Sequence, residues 1–296
     1  MRLLAPIDFS ECSEEVIRQI ESRPWPAGTE VRLLHVADTV TLSSGMIDLG
    51  PYFELALSEA KKMLQAQASR LADKGLVTSI EAVVGYPASR IPDYAAEWKP
   101  DLIMLGSHGR TGLSKFLLGS VAIAVLRKSK ESIEIVRKSS HEPARHGLKN
   151  GGLRILFATD GSTHSDAAAR FAAKQSWPQG STIQILSVAE EAMPPIDPWV
   201  GADDILNRIN HEARLQAQEN VTAAEKIFEG SGLEFTGKIL AGHAKVVILD
   251  EASRWKANLI VVGSHGRQGL ARLMVGSVAE AVATNAHCSV AVIRGV

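Results

Sequence analysis

The sequence predicts an α/β protein built from two tandem doubly wound domains, each a five-stranded parallel sheet with helices on both faces. Three observations carry the prediction. The stretch LIMLGSHGRTGL, Leu102 to Leu113, returns as LIVVGSHGRQGL, Leu259 to Leu270. Other landmarks recur at matching offsets: WPAG at Trp25–Gly28 and WPQG at Trp177–Gly180, Asp8 and Asp160, Gly85 and Gly242, Trp98 and Trp255, Arg137 and Arg294. Within each copy, near-continuous apolar runs alternate with helical ones, the pattern of parallel strands buried on both faces. A repeat unit this long, holding several element types, is a duplicated domain rather than a solenoid repeat.

The elements follow in order. RLLAPI reads as a buried strand and ECSEEVIRQI as a helix; EVRLLHV is the second strand, followed by a long helix from about Tyr52 to Lys74. VTSIEAVV is the third strand, SRIPDYAAEW a short helix, DLIMLG the fourth strand, VAIAVLRKS a helix and SIEIVRK the last strand. The second copy repeats the series as RILFAT, DAAARFAAKQ, TIQILSV, a helix from about Asp203 to Glu229, LEFTGKIL, AKVVILDEASRW, NLIVVG, VAEAVATNA and SVAVIR. The expected domains are 1–140 and 153–296, joined by a linker at 141–152 within the polar, glycine-tipped SSHEPARHGLKNGG. The early landmarks are offset by 152 residues and the later ones by 157, which implies a five-residue insertion. It is placed in the proline-rich EAMPPIDPWVGADD, either as a lid over the second site or as a longer surface loop.

Composition narrows the function. A chain of 296 residues suits two domains, and 45% hydrophobic with 22% charged residues is ordinary globular composition. A net charge of −1 argues against a nucleic-acid binder, which needs a basic face. Cys12 and Cys288 are too few for a disulfide framework or a metal cluster. No leader pattern opens the sequence and no apolar run has membrane-spanning length, so the expected location is cytoplasmic, with no membrane partner.

The repeated stretch follows strand four, where ligands of doubly wound sheets bind. Gly106, Gly109, Gly119 and Ser120 form the pattern G-x2-G-x9-G-S, and Gly263, Gly266, Gly276 and Ser277 repeat it. Glycines let backbone N–H groups approach an anion, and the Gly-Ser pair opens a helix whose N-terminus favours phosphate. Arg110 and Arg267 offer charge-assisted contacts. The architectural alternative is that these are ordinary turn glycines and N-cap serines. Glycine in a purely structural loop brings entropic cost without packing, which favours the ligand reading.

Asp8 and Asp160 follow strand one of each copy. Ser10 and Ser162 are available to cap the next helix, which leaves the aspartates for a ligand. His108 and His265 have no neighbouring carboxylate in sequence to orient them as a base, and turn-forming or backbone-satisfying roles fit them better. Trp98 and Trp255 are expected in the core.

With APIDFS and ATDGS closing the first strands and GSHGR closing the fourth, the sequence resembles the universal stress protein family over both copies, specifically its ATP-binding branch. The resemblance implies strand order 3-2-1-4-5, two nucleotide sites per chain, ATP with or without Mg2+ as the ligand, and stress signalling without efficient catalysis. It places ribose and adenine near Asp8 and Asp160, beside Ala5-Pro6-Ile7 and Ala158-Thr159, with backbone at Val36 and Val188 reaching the adenine edge. It places phosphates over Gly106, Ser107, Gly109, Arg110, Gly119, Ser120 and Val121, and over Gly263, Ser264, Gly266, Arg267, Gly276, Ser277 and Val278. Phe9 stands where the second copy has Gly161, counted with the second site, so the two sites are expected to differ. The apolar last strands imply an internal pseudo-dimer of the halves, with a homodimer as further association.

Two other functions remain open on sequence: a slow ATP hydrolase or ATP-using enzyme, and a nucleotide-free interaction protein. TDGSTHSDAA bears a weak similarity to the Ser-Gly-Gly-x-Asp-Ser loop of ATP pyrophosphatases but lacks the double glycine, and no G-x4-G-K-[S/T] loop is present. No catalytic residue and no protein-held metal is assigned.

Overall fold

A computed structural model describes residues 1–38, 50–109, 118–138, 152–191, 203–267 and 275–295. The chain divides into two compact units, Met1–Lys138 and Ser139–Val296. The expected linker lies outside the described residues except for Gly152.

The first unit runs β1 (Arg2–Pro6), α1 (Glu11–Ser22), β2 (Glu30–Asp38), α2 (Gly50–Ala72), β3 (Val77–Gly85), α3 (Pro87–Trp98), β4 (Leu102–Gly106), α4 (Ser120–Lys128) and β5 (Ser132–Val136). The second runs β6 (Arg154–Ala158), α5 (Thr163–Lys174), β7 (Thr182–Ala189), α6 (Asp203–Phe228), β8 (Glu234–Ala241), α7 (Ala244–Trp255), β9 (Leu259–Gly263), α8 (Ser277–Asn285) and β10 (Ser289–Ile293). Within the units the strand orders are β3-β2-β1-β4-β5 and β8-β7-β6-β9-β10, every pair parallel. This is the expected α/β class. Each fourth strand ends at its glycine, Gly106 or Gly263.

The apolar runs become strands because both of their faces are covered. Leu3, Leu4, Ile103 and Met104 are fully buried in the first unit, as are Ile155, Leu156, Phe157 and Ile260 in the second. The Phe157 and Phe228 rings meet edge to face at 5.6 Å between sheet and α6. The repeated WPxG motif proves structural. The Trp25 indole N–H donates to the Ile20 carbonyl at 2.8 Å, and that of Trp177 to the Ala172 carbonyl at 2.8 Å, satisfying carbonyls in the last turns of α1 and α5. The amides of Thr29 and Ser181 then close the turns onto Pro26 and Pro178. Trp98 is buried as expected, with the guanidinium carbons of Arg2 and Arg32 at 4.3 and 4.6 Å from its ring; Trp255 is half-buried.

Candidate functional site

In each unit the first strand lies beside the fourth, while the chain winds away from them in opposite directions. The loops β1–α1 and β4–α4, and likewise β6–α5 and β9–α8, therefore diverge at a crevice beyond the carboxyl ends of the strands. The sequence-predicted residues gather on these loops.

The first-strand loops are tied down by hydrogen bonds. The Ile7 and Thr159 amides donate to the carbonyls of Leu34 and Leu186, at 2.8 and 2.9 Å. These are the last rungs between β1 and β2 and between β6 and β7. Along a strand the backbone N–H and C=O direction repeats every two residues. Val36 and Val188, two residues past Leu34 and Leu186, therefore turn their N–H and C=O toward the side where the first strand has already ended. Pro6 and the side chains of Ala5, Ile7 and Thr159 are buried, and the Thr159 hydroxyl donates to Ser165 Oγ at 3.1 Å, which leaves the loop backbone as the surface toward the crevice.

Ser10 and Ser162 cap α1 and α5, accepting from the Ser13 and Ser165 amides. The expectation that the aspartates are therefore left for a ligand needs correction. Asp8 Oδ1 accepts from the Ser10 amide at 3.0 Å and its hydroxyl at 2.6 Å. Asp160 Oδ1 accepts from the Ser162 amide at 3.0 Å, and its Oδ2 from the Arg267 amide at 2.9 Å. In the second unit the aspartate thus ties the first-strand loop to the glycine loop.

The glycines also need correction, because they do pack. A Cβ on Gly106 would lie 2.8 Å from Cys12 Cβ, and one on Gly263 2.7 Å from the His164 carbonyl carbon, so these glycines let α1 and α5 approach the sheet. A Cβ on Gly109 or Gly266 would lie 2.7 Å from the Oδ2 of Asp8 or Asp160. Glycine at these positions alone does not separate a ligand loop from a structural one.

The N-termini of α4 and α8 differ from those of α1 and α5. Gly119 and Gly276 are the N-caps of α4 and α8, extended at φ −66°, ψ 154° and φ −74°, ψ 153°, and supply no side-chain cap. Ser120 and Ser277 are therefore the first helical residues rather than caps, and both are exposed. The Gly119 and Gly276 amides donate back to the carbonyls of Ser107 and Ser264 at 2.8 and 2.7 Å. The first intrahelical bonds are made by Ile123 and Glu280, at 2.9 Å each. Among the described residues, the amides of Ser120, Val121 and Ala122, and of Ser277, Val278 and Ala279, have no partner. In the first-strand helices α1 and α5 a serine answers the same need.

The Nδ1 atoms of His108 and His265 sit 3.0 and 3.1 Å from the hydroxyls of Ser107 and Ser264. Burial, then the nearby Arg137 charge, lowers the His108 pKa, so the imidazole is held toward its neutral form. The His265 ring lies 5.0 Å from that of His164, between centroids. Arg110 and the insertion around Pro194–Trp199 lie outside the described residues. Among the described residues no group of three or more His, Cys, Asp or Glu is gathered to hold a metal.

Sequence reasoning named the exchange of Phe9 for Gly161 but missed the side chains that gather around each. Phe9 adopts φ 62° and its ring lies 4.8 Å from that of His35, whose Nδ1 is 2.7 Å from the Ile7 carbonyl. In the second unit Gly161, at φ 71°, leaves that place to Asn220 and Arg267.

The family model for the universal stress protein family matches residues 1–137 and again 153–294. A universal stress protein of Methanocaldococcus jannaschii is 31% identical over 155 residues, covering 47% of this chain and 96% of that protein. One from Mycolicibacterium smegmatis is 25% identical over 303 residues, covering 99% of this chain and 96% of its own. The crystal structure of a universal stress protein from Archaeoglobus fulgidus shares the fold, with a TM-score of 0.65 at 24% identity, covering 99% of this chain and 96% of that one. The double match and the full-length likeness, with two copies of one glycine loop, lead to one conclusion: this chain belongs to the universal stress protein family.

Proposed function

We propose that each half binds one adenine nucleotide, ATP foremost, and that the chain acts as a nucleotide-dependent stress-response module in the cytoplasm. The observation that carries this is the set of three amides opening α4 and again α8 that have no partner among the described residues, with extended glycine caps in front of them. Such amides and the helix dipole form a phosphate site without any catalytic group. Ser120 and Ser277 add hydroxyls at the same ends. Asp8 and Asp160 keep carboxylate lone pairs for a ribose hydroxyl while holding the loops together, and the backbone past the ends of β1 and β6 faces the base. A Mg2+ would accompany the phosphates.

Among the described residues no group is placed to activate water: His108, whose pKa burial lowers, is bonded to Ser107, and the aspartates are engaged in the loops. Hydrolysis, where present, is slow. The tandem halves are read as an internal pseudo-dimer, with homodimer formation as the further association and no nucleic acid as partner.

The test is calorimetric titration of the nucleotide-stripped chain with MgATP, together with identification of the nucleotide released when freshly purified protein is denatured. Two ATP per chain are expected. A chain that releases no nucleotide and gives no heat with MgATP, AMP or adenosine overturns the proposal.

A further inference from the structure

Among the described residues, the second crevice carries a buried polar chain for which the first shows no counterpart. Asn220, on α6, is buried; its Nδ2 donates to Ser187 Oγ at 3.2 Å, and its Oδ1 accepts from Arg267 Nη2 at 2.6 Å and from Gln216 Nε2 at 3.3 Å. Arg267 belongs to the glycine loop, and its own amide is held by Asp160 at 2.9 Å. Its side chain therefore crosses from that loop to α6 directly above Gly161. A Cβ on Gly161 would fall 2.7 Å from Arg267 Nη2 and well inside contact distance of Asn220 Oδ1. By the repeat offset, Phe9 and His35 stand in the first unit where Gly161 and Ser187 stand in the second, and their rings meet at 4.8 Å, tilted 30° to each other.

The chemistry of the acceptor matters. Among the described residues no carboxylate forms an ion pair with the Arg267 guanidinium; its partner is a neutral amide oxygen. Asparagine fixes the position of the arginine without neutralising it, and leaves most of the five guanidinium N–H donors available. Placing Asn220 and Ser187 in a layer with Ala217, Val221 and Ala224 is costly unless every polar atom is paired.

We propose that Asn220 is a positioning residue that presents Arg267 as an anion clamp at the second nucleotide site, giving that site a dependence on phosphate charge. The inference rests on the nucleotide reading above. The ligand class is a nucleoside polyphosphate, with affinity in the second half graded by the number of phosphates.

The test uses the full chain with the first site silenced by Gly109→Leu, titrated with ATP, AMP and adenosine. Asn220→Ala is expected to weaken ATP by about tenfold, AMP by less, and adenosine by less than about twofold, the scale of one charge-assisted hydrogen bond. Arg267→Gln, a change at an exposed side chain, gives the same graded loss with an unchanged melting temperature. Equal weakening of all three ligands by Asn220→Ala, or undiminished ATP affinity in Arg267→Gln, overturns the role of Asn220 and Arg267 while leaving the nucleotide reading intact. Absence of any ATP binding in the Gly109→Leu chain, when the unsubstituted chain binds two, overturns nucleotide binding by the second half and this inference with it.

Discussion

Replacing Ser120 and Ser277 by proline separates a phosphate-binding amide from a structural one. Each serine is the first residue of its helix, so its amide lies outside the intrahelical ladder, and no partner is present among the described residues. Proline is well tolerated at this position because the missing N–H bonds nothing there and the ring's φ is already helical. The preceding residue must be extended, and Gly119 and Gly276 are, at ψ 154° and 153°. The ligand-free protein should therefore keep its stability to within ~0.5 kcal/mol per site. If the amide bonds phosphate, its loss removes a hydrogen bond to a charged group, ~1.5–3 kcal/mol, or about 10- to 150-fold in affinity per site. Calorimetry with MgATP measures the affinity and a thermal melt without ligand measures the fold. Ser120→Ala and Ser277→Ala keep the amide and isolate the hydroxyl's share. ATP affinity within about twofold of the unsubstituted chain would refute the reasoning. A ligand-free melting temperature several degrees lower would show that the amide has an internal partner.

Three more predictions follow from the same structure. Trp25→Phe and Trp177→Phe should each cost about 1 kcal/mol by orphaning the carbonyls of Ile20 and Ala172, seen as a lower urea midpoint, while ATP affinity holds because both motifs lie at the opposite ends of the strands from the site. Arg23→Ala should cost about 3–5 kcal/mol, because Glu134, 2% exposed and paired to Arg23 at 2.8 Å between Nη1 and Oε2, is left as a buried lone carboxylate; Arg23→Gln with Glu134→Ala, which copies Gln175 and Ala291 of the second unit, should cost far less in the same assay. His108 has a lowered folded-state pKa, so the unfolded chain binds its proton more readily; stability from this group is complete above about pH 6.5 and is lost as pH falls below it, and His108→Gln should flatten that part of a urea-unfolding profile taken from pH 7.5 to 5.

The elements were legible because each is a local pattern: the apolar runs from Arg2, Arg154 and Leu259 admit no period but that of a doubly buried strand, and the repeat checked every reading twice. The glycine loops were legible as a spacing, but not the reason for each glycine. Gly106 and Gly263 answer to backbone approaching from α1 and α5, nearly a hundred residues away in sequence. The aspartates looked unoccupied because a neighbouring serine could cap the helix, yet the serine caps and the aspartate binds as well, in the second unit to the Arg267 amide across the crevice. Asn220 sits in a long helix rich in Glu, Gln and Asn, where composition suggests a solvated face. Only the fold brings it to Ser187 and Arg267. The exchange of Phe9 for Gly161 was visible, but the polar chain that occupies the vacated space was not.

The central claim is that the amides opening α4 and α8 hold phosphate. A 15N-labelled chain titrated with ATP tests it residue by residue. The account predicts that the Ser120, Val121, Ala122, Ser277, Val278 and Ala279 resonances move furthest, saturating together at two ATP per chain, and that adenosine moves them far less. Saturating ATP that leaves those six resonances in place, or shifts them no more than adenosine does, would contradict it.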